Sequence, residues 1–264
     1  MTYMLILGLG FTSGRLAARL RGQGWRVSAT RREAGEGVIA FEDETVVLDA
    51  IRHATHILSS VPPVGDSDPV LAAYGAAIAA SPARWIGYLS STGVYGDTGG
   101  AWVDESAPIG GGRRGARAQA DADWGALRGD VRRFRLPGIY GAGRSAIDRV
   151  REGVARRITV PGQVFSRVHV DDIVSGVVAA FEGPAGAYNL ADDLPCAQNR
   201  VIEAACDLTG IAYPVLQSLE EAELSPQARA FYAENRRVAN GKAKRLLGWA
   251  PRYPTYREGL RACL

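Results

Sequence analysis

A glycine-rich turn near the start of the chain carries the first recognisable chemistry. The segment Gly8-Leu9-Gly10-Phe11-Thr12-Ser13-Gly14 follows a short apolar run and leads into a helical pattern. In that setting one glycine allows a tight strand-to-helix turn, a second lets N–H groups at the helix N-terminus approach a pyrophosphate, and a third small residue allows close helix packing. Ser13 holds the third position, with Gly14 displaced by one. The acidic residue that would take an NAD ribose falls about 20 positions further on. Here the count from Gly10 reaches Thr30, and Arg31 and Arg32 follow it. Guanidinium groups form planar bidentate pairs with phosphate, so the pair suits a 2′-phosphate and the expected cofactor is NADP rather than NAD. The plainer reading is a structural turn followed by two exposed arginines.

The elements that must position these residues alternate in type. Strands are expected at residues 3–7, 26–29, 55–59, 85–90 and 131–136, and helices at 14–21, 46–53, 69–80 and 114–128. This alternation predicts an α/β fold, a Rossmann-type doubly wound parallel sheet. Further helices are expected at 145–153, 170–181, 199–209 and 241–247, between loops containing Pro and Gly. They suggest a smaller C-terminal substrate lobe, dividing the chain into residues 1–165, a dinucleotide-binding domain, and 166–264, mainly the lobe. No internal repeat or low-complexity segment is evident.

Composition narrows the function classes. The chain has 264 residues, of which 47% are hydrophobic and 22% charged, the balance of an ordinary folded protein. The longest apolar helix pattern, 168–181, is interrupted by Asp171, Asp172 and Ser175, so no membrane span is expected. No signal-peptide pattern precedes the fold. Cys196, Cys206 and Cys263 are odd in number and lack CxxC spacing, which points to free thiols and a cytoplasmic protein. Arginines are scattered and the net charge is only +3, unlike the concentrated basic patch of a nucleic-acid binder. His53 and His56 form an HxxH without a third ligand, so no metal is expected and both read as surface or helix-end histidines. No Gly-x-Ser-x-Gly elbow marks a hydrolase.

Four further segments complete a pattern: Ser90-Ser91-Thr92-Gly93-Val94-Tyr95-Gly96, Arg135-Leu136-Pro137-Gly138-Ile139-Tyr140-Gly141, His169-Val170-Asp171-Asp172-Ile173-Val174, and a closing stretch from Leu246 through Tyr256. With the glycine turn, and over nearly the full length, these resemble the extended or atypical short-chain dehydrogenase/reductase superfamily, in particular its NAD-dependent epimerase/dehydratase-like branch. The resemblance implies that Ser91 or Thr92 hydrogen-bonds the substrate oxygen and that Pro137 and Gly138 wall the cofactor. It also implies that Ser60 and Val61, ahead of the Pro62-Pro63-Val64-Gly65 loop, lie along the cofactor edge. Asp171 is expected as a helix cap. Relatives dimerise through helices matching 69–80 and 114–128, which implies a homodimer.

One departure is decisive. The superfamily's Tyr-xxx-Lys pair, in which lysine lowers the tyrosine pKa and holds the ribose, is absent, because the chain has 29 arginines and its two lysines are Lys242 and Lys244. Aligning Asp121 with the usual following acid puts Arg117 at the lysine position and Arg113 at the tyrosine position. Arg117 can hold the ribose, but a guanidinium is too weak an acid to replace the tyrosine. Tyr95 and Tyr140 become the acid/base candidates. Two functions stay open: an NADP-dependent oxidoreductase or epimerase acting on a carbonyl or alcohol carbon of a small molecule or nucleotide sugar, and an NADP-binding sensor or partner-binding protein without turnover.

Overall fold

The run Tyr3–Leu7 is buried along its whole length, as expected of a central parallel strand covered by helices on both faces. The computed structural model describes residues 2–110 and 115–264. In order, its elements are β1 (Tyr3–Leu7), α1 (Phe11–Gly22), β2 (Arg26–Arg31), β3 (Val38–Ala40), α2 (Glu44–His53), β4 (His56–Ser59), α3 (Pro69–Ala79) and β5 (Trp85–Ser91). A 3-10 turn (Thr92–Tyr95), β6 (Trp102–Val103), α4 (Gly115–Leu127), β7 (Val131–Leu136), β8 (Gly138–Tyr140) and α5 (Ala146–Arg151) follow. The chain closes with β9 (Arg157–Ile158), β10 (Arg167–His169), α6 (Val170–Ala179), β11 (Gly186–Asn189), α7 (Gln198–Thr209), β12 (Leu216–Gln217), α8 (Pro226–Phe231), β13 (Arg237–Val238), α9 (Gly241–Leu247) and α10 (Tyr256–Arg261).

Seven strands form one parallel sheet in the order β11-β7-β5-β4-β1-β2-β3. The chain moves outward from β1 in one direction through β2 and β3, then returns to β4 on its other side. That reversal leaves a crevice at the carboxyl ends of β1 and β4, where ligands of open α/β sheets bind. Met4, Ile6 and Leu58 face one layer with Leu16, Leu20, Ile173 and Val177 of α1 and α6. Leu5, Leu7 and Ile57 face the other, with Val47, Ile51, Val70 and Trp124. The strand period of two thus divides the residues between two cores. A third core, including Ile147, Val150, Ile202 and Leu260, belongs to the C-terminal segments. Beyond residue 165 the chain also contributes to the sheet layers, through α6 against α1 and β11 against β7.

The doubly wound α/β sheet expected from sequence is present. Helix α1 begins a full turn earlier than expected, at Phe11, and β3 and the two-residue strands carry too few residues to show a period. His53 ends α2, exposed as expected, with its Nδ1 2.8 Å from the Asp49 carbonyl. His56 corrects the reading: it is buried between Trp25 and Phe181, and burial, followed by the charges of Arg84 and Arg132, lowers its pKa to about 4. Among the described residues no helix is long and apolar enough to cross a membrane, and all three cysteines are buried and free.

Asp68 locks α3 to α4. One carboxylate oxygen accepts from the N–H groups of Val70 and Leu71, and the other from the indole Nε1 of Trp124 at 2.9 Å. Trp124 in turn stacks on Tyr88 of β5, with centroids 5.2 Å apart. Asp68→Ala removes a helix cap and orphans a buried indole N–H, and should cost about 2–4 kcal/mol in urea denaturation. Asp68→Asn, which keeps the cap acceptor, should cost less than half as much.

Candidate functional site

The glycine turn is built from beneath by three hydroxyls. Gly8 has φ of +91°, a conformation that favours glycine, and a Cβ there would lie 2.8 Å from Val61 Cγ2. The Thr30 hydroxyl accepts from the Gly8 N–H at 3.0 Å. The Ser13 hydroxyl donates to the Gly8 carbonyl at 2.7 Å and accepts from the Gly10 N–H, while Ser60 donates to the same carbonyl and to Ser13. Ser13 and Thr30 are both fully buried, and their hydroxyls hold the turn from beneath. Ser60 and Val61, just past the end of β4, brace it. Serine replaces the third glycine because its hydroxyl closes this network.

Above the turn the surface is open. Nothing lies within 4 Å of a Cβ placed on exposed Gly10, and the first N–H groups of α1, including those of Phe11 and Thr12, have no intrahelical acceptor. Arg31, exposed at the end of β2, donates from Nε to the Leu9 carbonyl at 3.2 Å, so its guanidinium leans over the turn. Arg32 beside it is exposed. The Phe11 ring lies beneath the guanidinium groups of Arg15 and Arg144, 5.1 and 5.6 Å from its centroid. A glycine cradle, free N–H groups and a cation placed above them fit a phosphorylated dinucleotide.

The strand-end hydroxyls sit beside a buried charge network. Ser91 caps the 3-10 turn, accepting from the Gly93 N–H at 3.1 Å, which leaves its own O–H free to donate. Thr92 is buried. Behind them, the fully buried carboxylate of Asp121 on α4 accepts from Ser90 at 2.7 Å, from Arg135 at 2.8 and 3.1 Å and from Arg133 at 3.0 Å. Arg135 also donates to the Tyr95 hydroxyl at 3.0 Å, and Tyr95 donates to Asn189 at 2.8 Å. Burial opposes the Arg135 charge, but its bonds to Asp121 outweigh this and raise its pKa. Arg117 lies one turn before Asp121, half-buried, with no hydrogen bond or ion pair among the described residues. Arg113, aligned with the missing tyrosine, lies outside the described residues.

Neither candidate tyrosine is open to a substrate, which corrects both expectations. The Tyr95 hydroxyl is fully engaged by Arg135 and Asn189. Burial raises its pKa, although Arg135 and Asn189 pull the other way. The Tyr140 hydroxyl is enclosed, facing Gly259 of α10, where an added Cβ would overlap it, and burial, then Asp192, raise its pKa. Pro137 and Gly138 are half-buried in the link from β7 to β8, where the Gly138 N–H donates to the Ser166 carbonyl at 3.2 Å. The cap of α6 is also corrected: the His169 side chain accepts from the Asp171 N–H, while Asp171 pairs with Arg15 at 3.6 Å. The neighbouring Asp172 is buried and accepts from the N–H groups of Arg252 and Tyr253 at 2.6 and 3.1 Å, pinning the closing segment. Sequence reasoning missed Asp68, Asp172 and the Asp121–Arg135 pair. Its available signal was three arginines within the strand pattern 131–136.

No family model matches the chain. A solved structure of a functionally unknown conserved protein from Silicibacter pomeroyi is 40% identical, covers 100% of this chain and 98% of that one, and superposes with a TM-score of 0.92. The chain belongs to the family of that Silicibacter protein. The fold is shared with solved structures of proteins described as epimerases and dehydratases. A human epimerase family protein solved with NADPH has a TM-score of 0.79 at 16% identity, covering 98% of each chain. Other structures of this fold, at 20% and 17% identity, were solved with UDP-glucuronic acid and NAD or with UDP-glucose. A 3-diazoavenalumate denitrifying reductase from Streptomyces is 33% identical over 103 residues, and the match spans 37% of this chain and 33% of that protein.

Within this family fold, one carboxylate makes stability depend on pH. Asp192, in the loop after β11, is buried with Oδ2 unpartnered, and burial, opposed by Arg167, pushes its pKa up to about 7. Between the ordinary carboxylate value near 3.8 and about 7 the folded chain holds a proton that the unfolded chain has released. The Asp192 contribution is therefore complete below that window and lost as pH rises through it. Asp192→Asn should flatten this loss and raise Tm at pH 8 by several degrees, measured by thermal denaturation from pH 4.5 to 8. At pH 4.5 the variant and parent should differ little.

Proposed function

We propose that the chain binds NADP at its glycine turn and acts as an oxidoreductase or epimerase on a carbonyl or alcohol carbon of a small molecule or nucleotide sugar. The observation that carries this reading is the Arg31 guanidinium leaning over the Gly8–Gly10 cradle, in the place where an NAD site would present a carboxylate. The human fold relative solved with NADPH supports it. Gly8, Gly10, Phe11 and Thr12 would meet the pyrophosphate, with Arg31 and Arg32 at the 2′-phosphate. Arg117 would hold the nicotinamide ribose and Pro137 and Gly138 would wall the ring, while Ser13, Thr30, Ser60 and Val61 keep the cradle in shape.

A bound nicotinamide supplies or accepts a hydride at the substrate carbon. The chain's own part is to hold and polarise the oxygen. Ser91 suits this because its lone pair is satisfied by Gly93, so its O–H is free to donate, and Thr92 is its neighbour. In the reducing direction negative charge grows on that oxygen, and Arg117 offsets it electrostatically. With Tyr95 and Tyr140 enclosed, the alkoxide takes its proton from water; in oxidation the proton leaves by the same route.

Two measurements test the reading. Calorimetric titration should show NADPH binding at least tenfold more tightly than NADH, with Arg31→Asp erasing most of the difference by weakening NADPH alone; equal affinities in both proteins would overturn the NADP assignment. NADPH oxidation should then appear with some member of a carbonyl and nucleotide-sugar panel and fall about 10²-fold or more in Ser91→Ala combined with Thr92→Val. Tight NADPH binding without turnover across the panel would replace the enzyme with a dinucleotide sensor, as the missing Tyr-xxx-Lys pair would allow.

A further inference from the structure

A cleft of about 260 Å³ opens in the C-terminal segments, lined among others by Ile158, Val160, Phe165, Leu216 and Tyr232. None of its lining residues belongs to the glycine turn. Two of its lining residues are aromatic, Phe165 and Tyr232, which meet edge-on at 5.6 Å; Phe165 also stacks on Phe231, outside the lining, with centroids 4.4 Å apart and an interplanar angle of 10°. Phe165 precedes Ser166, whose carbonyl receives the N–H of Gly138, two residues past Leu136, the β7 partner of Ser91.

Most of the side-chain polar groups lining the cleft are already engaged. Arg157 pairs with Glu203 at 2.6 Å and donates to the Pro214 carbonyl. Asn199 bonds Ile158 through both its oxygen and its nitrogen, and Gln163 donates to the Glu234 carbonyl. Gln198 accepts from Arg167, which is itself held by the Phe165 and Cys196 carbonyls. What the lining still offers is neutral: the exposed Thr159 hydroxyl, the Gln198 side-chain NH2 and the first N–H groups of α7. Among the lining residues the only guanidinium is that of Arg157, already paired with Glu203, so the lining itself offers no free charge to a nucleoside diphosphate, whereas an aromatic ring gains both burial and stacking.

We infer that this cleft receives an uncharged aromatic group carrying a hydrogen-bond acceptor, so that the substrate is a small aromatic carbonyl or alcohol compound rather than a nucleotide sugar. The inference rests on the hydride-transfer reading for the reacting carbon, but the cleft itself is testable without turnover. Calorimetric titrations of the full chain with 2-acetylnaphthalene, UDP-glucose and, separately, NADPH would be run on the parent, Tyr232→Ala and Thr159→Arg. Thr159 is exposed, so its variant should fold even if the aromatic lining tolerates no change. The parent should bind 2-acetylnaphthalene at least tenfold more tightly than UDP-glucose. Each substitution should weaken the naphthyl ketone fivefold or more while leaving NADPH affinity unchanged. UDP-glucose binding as tightly as the ketone, or ketone affinity indifferent to both substitutions, would overturn the inference. If the ketone behaves as expected and NADPH does not bind, the dinucleotide reading fails and the cleft assignment stands.

Discussion

The buried carboxylate of Asp121 organises the candidate site. It sits on α4 with no exposure to water and receives hydrogen bonds from β5 through Ser90 and from β7 through Arg133 and Arg135. An unpaired charge at such a depth would cost several kcal/mol, so these partners are obligatory once the carboxylate is there. Arg135 extends the network to Tyr95, and Tyr95 to Asn189 on the edge strand β11, whose amide donates to the Ala239 carbonyl. One ion pair thereby fixes the strand that presents Ser91, the helix that presents Arg117, and the approach of the C-terminal segments to both.

This arrangement explains how the chain keeps its site without the usual proton-transfer pair. In the superfamily it resembles, tyrosine and lysine share the helix that here carries Arg117 and Asp121. The framework around that pair is retained while the pair itself is gone. What remains is a hydroxyl free to donate at the strand end and, on α4, a guanidinium with no hydrogen bond or ion pair among the described residues. Such groups can bind and polarise a substrate oxygen.

Much of this was legible in the sequence where local spacing carries the physics. The glycine turn, the central strands and most helices announce themselves through apolar period, and α9 falls on its expected bounds. Roles set by distant partners were not legible. Counting from Gly10 places Thr30 at the cofactor site, but only the fold shows its hydroxyl turned under Gly8. Tyr95 and Tyr140 carried the right chemistry for acid/base work, yet Asn189 and Gly259, 94 and 119 positions away, enclose them. His169 took the capping role expected of Asp171, since the two lie in one turn and sequence alone does not say which side chain folds back. The cleft in the C-terminal segments has no motif at all, because its walls come from loops and short strands whose packing decides their shape.

The proposed function depends most directly on the position of the dinucleotide at the glycine turn. A crystal structure of the chain grown with NADPH should show the pyrophosphate against the N–H groups of Phe11 and Thr12 and the 2′-phosphate within hydrogen-bonding distance of Arg31. Density for the dinucleotide elsewhere, or a 2′-phosphate turned away from Arg31 and Arg32, would contradict it.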